Sequence, residues 1–237
     1  MNRDTLVEPG DRMVAYVRWV NAHDPGTRAA LRRGLGRPPE DIANFHAHAI
    51  VVRYLPEKHD RATERAFYTV AALVAAQPRG ARDQEAEAQA EDEGAESEAA
   101  EGDREDAPSQ SEAPTATSAD DHSAQQSRLT LGQTLARAVE NGHLKGDMVR
   151  GRLHLLARYR TDRLHRELPK LIAHLRASAV PVDWGLLLRD LALWETGRGY
   201  VSKQWVQQYH RTRDQLQRQR SKQDRTATAD HSESETA

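Results

Sequence analysis

The 237 residues include no cysteine. Disulfides, thiolate nucleophiles and cysteine-ligated zinc are therefore excluded, and a reducing cytoplasm is the expected location. Aromatic residues are scarce at 5%, with two phenylalanines in the whole chain. No apolar run approaches the length of a bilayer span, and the opening MNRDTLVEPGDR has no apolar signal-peptide core, so no membrane partner is expected. Strand-like alternation is missing and β-branched residues are thin, which makes the fold class all-α. Neither a GxSxG motif, a phosphate-cradling glycine loop nor a pair of catalytic carboxylates is found, so no active site and no cofactor is expected. A mean hydropathy of -0.83 with 30% charged residues implies that part of the chain does not fold.

What is present is helical periodicity. The helix from Asp183 to about Glu195 is apolar around most of its circumference through Trp184, Leu186, Leu187, Leu188, Leu191, Leu193 and Trp194. Such a helix is normally wrapped by others. Asp183, after Pro181, is its expected cap. Before it, helices are expected over 10–23 with Asp11 as cap, over 27–35, over 40–55 with Ile42, Phe45, Ala49 and Val52 on one face, and from Asp60 through Val74. Further helices are expected from Thr130 to Asn141, over 144–159, and from Thr161 onward, the last kinked or restarted at Pro169. A final stripe of Val201, Trp205 and Tyr209 follows, and beyond Arg211 the chain reads as a fraying tail.

The charges are segregated. Residues 77–128 hold 15 acidic and 4 basic side chains, a net of -11, and the rest of the chain is left at +9. The acidic stretch reads as disordered. The expected organisation is an N-terminal helical bundle (1–76), a disordered acidic insert (77–128), a C-terminal helical bundle (129–211) and a polar tail (212–237). The insert is either inert or a tethered polyanion that competes for the basic surface.

Cations supply the candidate site. Arg163, Arg166, Lys170 and His174 share one face, with Arg176 nearby and Glu167 as the only balancing acid, so the face is suited to phosphates. Arg152 falls within an apolar arc and requires either an internal partner, such as Asp183 or Asp190, or a bound phosphate. Arg32 and Arg33 flank a glycine turn; Arg61 opens a helix; Arg158 and Arg160 close another. His46 and His48, two residues apart, point about 200° from each other on a helix and cannot chelate one ion, so no metal site is expected.

The order ALRRGLG, LTLGQTLARAV, RGRLHLLARYR, LIAHLRASAVPVDWGLLLRDLALWE and WVQQYHR resembles CasB, the small subunit of type I-E CRISPR Cascade complexes. The resemblance spans about 10–76 and 129–211. It implies an all-helical, non-enzymatic subunit, present with a second copy of itself beside other Cascade subunits, a CRISPR guide RNA and target DNA including the displaced strand. It implies that the basic surface stabilises the R-loop in antiviral defence. It carries nucleic-acid contact to Arg33, Arg61, Arg152 and Arg158, and to Lys170 and Arg160, although Pro169 departs from the family's uninterrupted helix. The residues alone also admit a stand-alone nucleic-acid-binding protein, a protein–protein scaffold, or a nuclease using His46 or His154.

Overall fold

The computed structural model describes residues 3–77 and 128–234, and every regular element among them is helical. In chain order these are a 3-10 turn (Arg3–Leu6), α1 (Val7–His23), α2 (Pro25–Arg33), a second 3-10 turn (Ile42–Asn44), α3 (Phe45–Val51), α4 (Arg61–Ala75), α5 (Leu131–Glu140), α6 (Gly146–Arg158), α7 (Thr161–Ala177) and α8 (Trp184–Ser234). The acidic stretch expected to be disordered lies, apart from its end residues, outside the described residues.

Everything is built around α8. Its first turn is capped as the sequence indicates: the Leu186 N–H donates to Asp183 Oδ1 at 2.9 Å. Trp184, Leu187, Leu188, Leu191, Ala192 and Trp194 are buried, and past a non-helical Gly197 so are Val201, Trp205 and Tyr209. The helix packs against α1 and α4 from the first segment and against α5 and α6 from the second. The two expected bundles thus share one helix. Segments 1–77 and 129–237 form a single compact unit with a continuous core. The glycine at 132 permits a close backbone approach of α5 to α8, since a Cβ there would lie 2.3 Å from the Trp205 carbonyl oxygen.

A buried polar link fixes the bend. The indole N–H of Trp205 donates to Asp190 Oδ2 at 2.6 Å, and Arg189 donates to Oδ1 at 3.0 Å. Asp190 is 4% exposed, and burial pushes its carboxyl above the ordinary value despite these donors. The Trp194 indole N–H reaches the Tyr159 carbonyl at 3.1 Å, which ties the end of α6 to α8.

Several local expectations change. α1 starts at Val7 after a 3-10 turn, so Asp11 lies inside the helix instead of capping it. α2 starts at Pro25, and Asp24 is its cap, accepting from the Thr27 N–H at 2.9 Å. The expected helix over 40–55 shrinks to a 3-10 turn and the seven residues of α3. Its buried residues are Ala47, Ile50 and Val51, while Ile42, Phe45 and Val52 face solvent at 88%, 69% and 60% exposure. The chain does not fray at 212. α8 continues to Ser234 because Arg213, Gln217 and Arg220 all donate to Glu140 at the end of α5. Burial alone would raise the Glu140 carboxyl, but these donors and the charges of Arg213 and Arg220 hold it below its usual range.

α7 runs through Pro169 without a break. The proline has no N–H for the His165 carbonyl four residues earlier. Gly36, at φ +73°, packs beside that carbonyl, its Cβ position 3.5 Å from the oxygen.

Candidate nucleic-acid interface

The cations single out two grooves and two helix faces. The first groove, about 390 Å³, is lined by Arg32 and Arg33 from the end of α2, Leu73 and Ala76 from α4, and Pro169, Ile172 and Arg176 from α7. It brings the candidate Arg176 beside the adjacent pair Arg32 and Arg33, which lie far from it in sequence. The second, about 270 Å³, is lined by Arg61 and Arg65 at the start of α4, Arg160, Thr161 and Asp162 at the start of α7, and Glu195. Arg163, Arg166 and Lys170 lie exposed on the outer face of α7, and Arg158 is exposed at the end of α6, with Arg152 half-buried earlier in that helix.

These cations differ in what already holds them. Arg61 pairs with Glu40 at 2.9 Å, and Lys170 with Glu167 at 2.9 Å. The Lys170 hydrogen bond draws the Glu167 carboxyl below its ordinary value, helped by the charges of Lys170, Arg163 and Arg152. Arg163 lies over the Tyr159 ring at 4.4 Å, and Arg166 donates to the Asp162 backbone carbonyl. Arg176 points inward: its guanidinium donates to the Ala76 carbonyl. By contrast, Arg33, Arg152, Arg158 and Arg160 make no hydrogen bond or salt bridge to any described residue. The internal partner considered for Arg152 is therefore absent; Asp190 is engaged by Trp205 and Arg189.

Two buried arginines were not singled out by sequence. Arg28, 7% exposed, donates to the Ala75 and Gln77 carbonyls at 3.1 and 2.9 Å. With Arg176 it caps the negative end of α4, where four carbonyls lack helical partners. Arg65, 8% exposed, pairs with Asp162 and holds its carboxyl well below the usual range. Behind that pair sits His165, fully buried, its Nδ1 2.6 Å from Thr69 Oγ1. Burial first, and then the Arg65 charge, pulls its pKa down to about 3, so it is neutral. Each arginine directly precedes an apolar run in its helix, Ala29-Ala30-Leu31 after Arg28 and Ala66-Phe67 after Arg65.

The histidine pair is divided as helical geometry requires. His48 turns inward to the Tyr68 hydroxyl, whereas His46 is exposed. Among the described residues no three metal-ligating side chains cluster, and no helix is long and apolar enough to cross a membrane.

The class comes first from likeness of fold. The chain is similar to a chain of a structure described as a CRISPR RNA-guided surveillance complex, at 39% identity and a TM-score of 0.67, covering 90% of this chain and 98% of that one. A chain of a structure described as a CRISPR RNA-guided surveillance complex, pre-nicking, matches at 41% identity, with the same TM-score and coverage. A crystal structure of CasB from M. ruber shares the fold at 21% identity and a TM-score of 0.55, over 87% of this chain and 96% of that one. No curated protein matches. The family model for CRISPR-associated protein Cse2 matches residues 27–210, and the chain belongs to that family. The resemblance read from LRRG, RGRLHLLAR and PVDWGLLLRDLALW is thereby confirmed.

Proposed function

We propose that this Cse2-family chain is a non-catalytic subunit of a type I-E CRISPR RNA-guided DNA surveillance complex, in the cytoplasm, and that its arginines hold nucleic-acid backbone to stabilise the R-loop. The partners are the guide RNA, the target DNA with its displaced strand, the other Cascade subunits and a second copy of this chain. The observation that carries the reading is the set of uncompensated cations. The Arg33, Arg152, Arg158 and Arg160 guanidiniums form no salt bridge with a described carboxylate, and the half-buried Arg152 has only the longer-range charge of Glu167 beside it. A half-buried guanidinium without a partner is costly, and an external phosphate relieves that cost.

The chemistry is neutralisation, not turnover. Each cation placed on a phosphate releases condensed counterions, which tightens the complex without reading sequence. Arg61 and Lys170 join by exchanging Glu40 and Glu167 for phosphate. Sequence is read by guide pairing, as RNA-guided recognition requires.

The test is charge reversal in the assembled complex. Arg33→Glu, Arg152→Glu and Arg158→Glu should each weaken target binding and lower the salt slope by about one, leaving the mismatch rules unchanged. Mismatch preferences altered at particular positions with affinity intact would refute backbone binding. Arg152→Ala needs a melting control, since equal losses of stability and affinity would assign it to the fold. The purified chain should not cleave DNA or RNA. Cleavage that survives repurification and disappears in His46→Ala or His154→Ala would overturn the non-catalytic assignment.

A further inference from the structure

A third groove, of about 580 Å³, opens between α1, α2 and α3. Its lining includes Tyr16 and Trp19 from α1, Arg33 from α2, and His46 and Arg53 from α3 and the turn after it. The core stripe of α1 is Met13, Val14, Val17 and Val20; Tyr16 packs half-buried against that core, and Trp19 lies at its edge, largely in solvent. Together they form a stack. Tyr16 and Trp19 lie 5.9 Å apart at 23°, and Trp19 and His23 lie 4.8 Å apart at 20°. Tyr54 extends the row at 6.1 Å from Tyr16, and the His23 ring is tied to the Trp19 carbonyl at 2.8 Å.

Trp19 is 47% exposed, whereas Trp184, Trp194 and Trp205 are at most 4% exposed. A large ring held in place by its neighbours, with half its surface in water, is costly unless something covers it. The charge around it is informative. Arg33 and Arg53 are exposed and form no hydrogen bond or salt bridge with the described residues. The single carboxylate of the lining, Asp24, is engaged by the Thr27 N–H. Arg33 also lines the first groove, so a polyanion crossing it passes from one groove to the other. Stacked aromatic rings beside unpaired arginines are the elements of single-strand binding sites, where bases stack and cations follow the backbone.

We propose that this groove is a stacking site for an unpaired base of single-stranded nucleic acid, with Trp19 as the platform and Arg33 and Arg53 on the flanking phosphates. The inference rests on the nucleic-acid reading above and adds base contact to backbone contact. Because stacking accepts any base, it leaves guide-directed specificity unchanged.

Because the other three tryptophans are buried, Trp19 is the one a bound base or a dissolved quencher reaches, and its share of the emission is the part lost in Trp19→Phe. The full chain is titrated at low salt with a single-stranded oligodeoxythymidine and with an abasic oligodeoxyribose phosphate of equal length. The thymidine strand should quench emission and bind roughly ten-fold tighter than the abasic strand. Trp19→Phe, with melting behaviour unchanged, should lose the quench and keep the affinity, and Trp19→Ala should lose roughly ten-fold in affinity. Equal binding of both strands without quenching overturns the base site but leaves the backbone reading standing. No binding of either strand, with Arg33→Glu also silent in the assembled complex, removes both. If oligonucleotides leave Trp19 exposed to acrylamide and only assembly with protein subunits shields it, the groove is a protein contact and the proposal fails.

Discussion

The link between Asp190 and Trp205 lies at the bend of α8, where both segments of the chain converge, and its removal has a calculable cost. In Asp190→Ala the indole N–H of Trp205, a fully buried side chain, loses its only acceptor. A stranded buried donor costs about 1–3 kcal/mol, and the small cavity adds about 1 kcal/mol. A loss of about 2–4 kcal/mol lowers the melting temperature by about 5–15 °C in a domain of this size. Asp190→Asn keeps an oxygen for the indole and removes a charge that burial disfavours, so it should cost under about 1 kcal/mol. Trp205→Phe removes the donor instead, and the double variant should then cost less than the two single changes together. The expected coupling is about 1–3 kcal/mol, read from thermal and urea unfolding followed by circular dichroism. Losses that add to within about 0.5 kcal/mol would show that the two side chains do not act as a unit, and the reasoning would fail.

Other perturbations test separate parts of the fold. His165 has a folded pKa of about 3 against an ordinary 6.5, so the unfolded chain takes up a proton first as pH falls. Its contribution is complete above about 6.5 and is lost progressively toward about 3, by up to about 1.4 kcal/mol per pH unit. Urea midpoints measured from pH 7.5 to 5 should fall more steeply in the wild type than in His165→Leu; parallel curves would reject this. Gly132→Ala places a methyl against the Trp205 carbonyl and should cost at least about 1–3 kcal/mol in the unfolding free energy. Glu140→Gln should speed amide exchange around residues 213–220 while leaving the global unfolding free energy little changed, because it loosens only the outer turns of α8.

The all-helical class and the principal core residues were legible because helical periodicity and caps are local signals. Asp183, Asp60 and Thr130 each cap the helix they were assigned, and Leu164, Leu168, Leu171, Ile172 and Leu175 all turn inward. The α3 stripe misled for a physical reason. Ile42, Phe45 and Val52 have core-like spacing, but the 3-10 turn before Phe45 shifts the helical phase and leaves them outside. Spacing identifies an apolar face; it does not say whether that face meets the core or the solvent. The arginines show the same limit in reverse. Arg163 and Arg176 look equivalent in sequence, yet one lies exposed over the half-buried Tyr159 ring and the other caps α4. That distinction depends on where the end of α4 lies, more than a hundred residues away through the chain. The tail assigned from 212 onward was invisible as a helix because polar anchors hold it: Glu140 gathers Arg213, Gln217 and Arg220, and no apolar stripe advertises the contact.

The arginine cap at the end of α4 has a consequence for chain connectivity. Arg28 and Arg176 grip the carbonyls of residues 75–77, and α5 begins at the Thr130–Gln133 capping box, so the residues on either side of the acidic segment are anchored by groups that belong to the core. Whatever joins them contributes mainly proximity. The polypeptide is therefore separable at this point. Co-expressed as two pieces, 1–77 and 129–237 should find each other and rebuild the same helical unit, because α8 of the second piece has its partners α1 and α4 in the first. Assembly of the two pieces should depend on concentration once that join is cut.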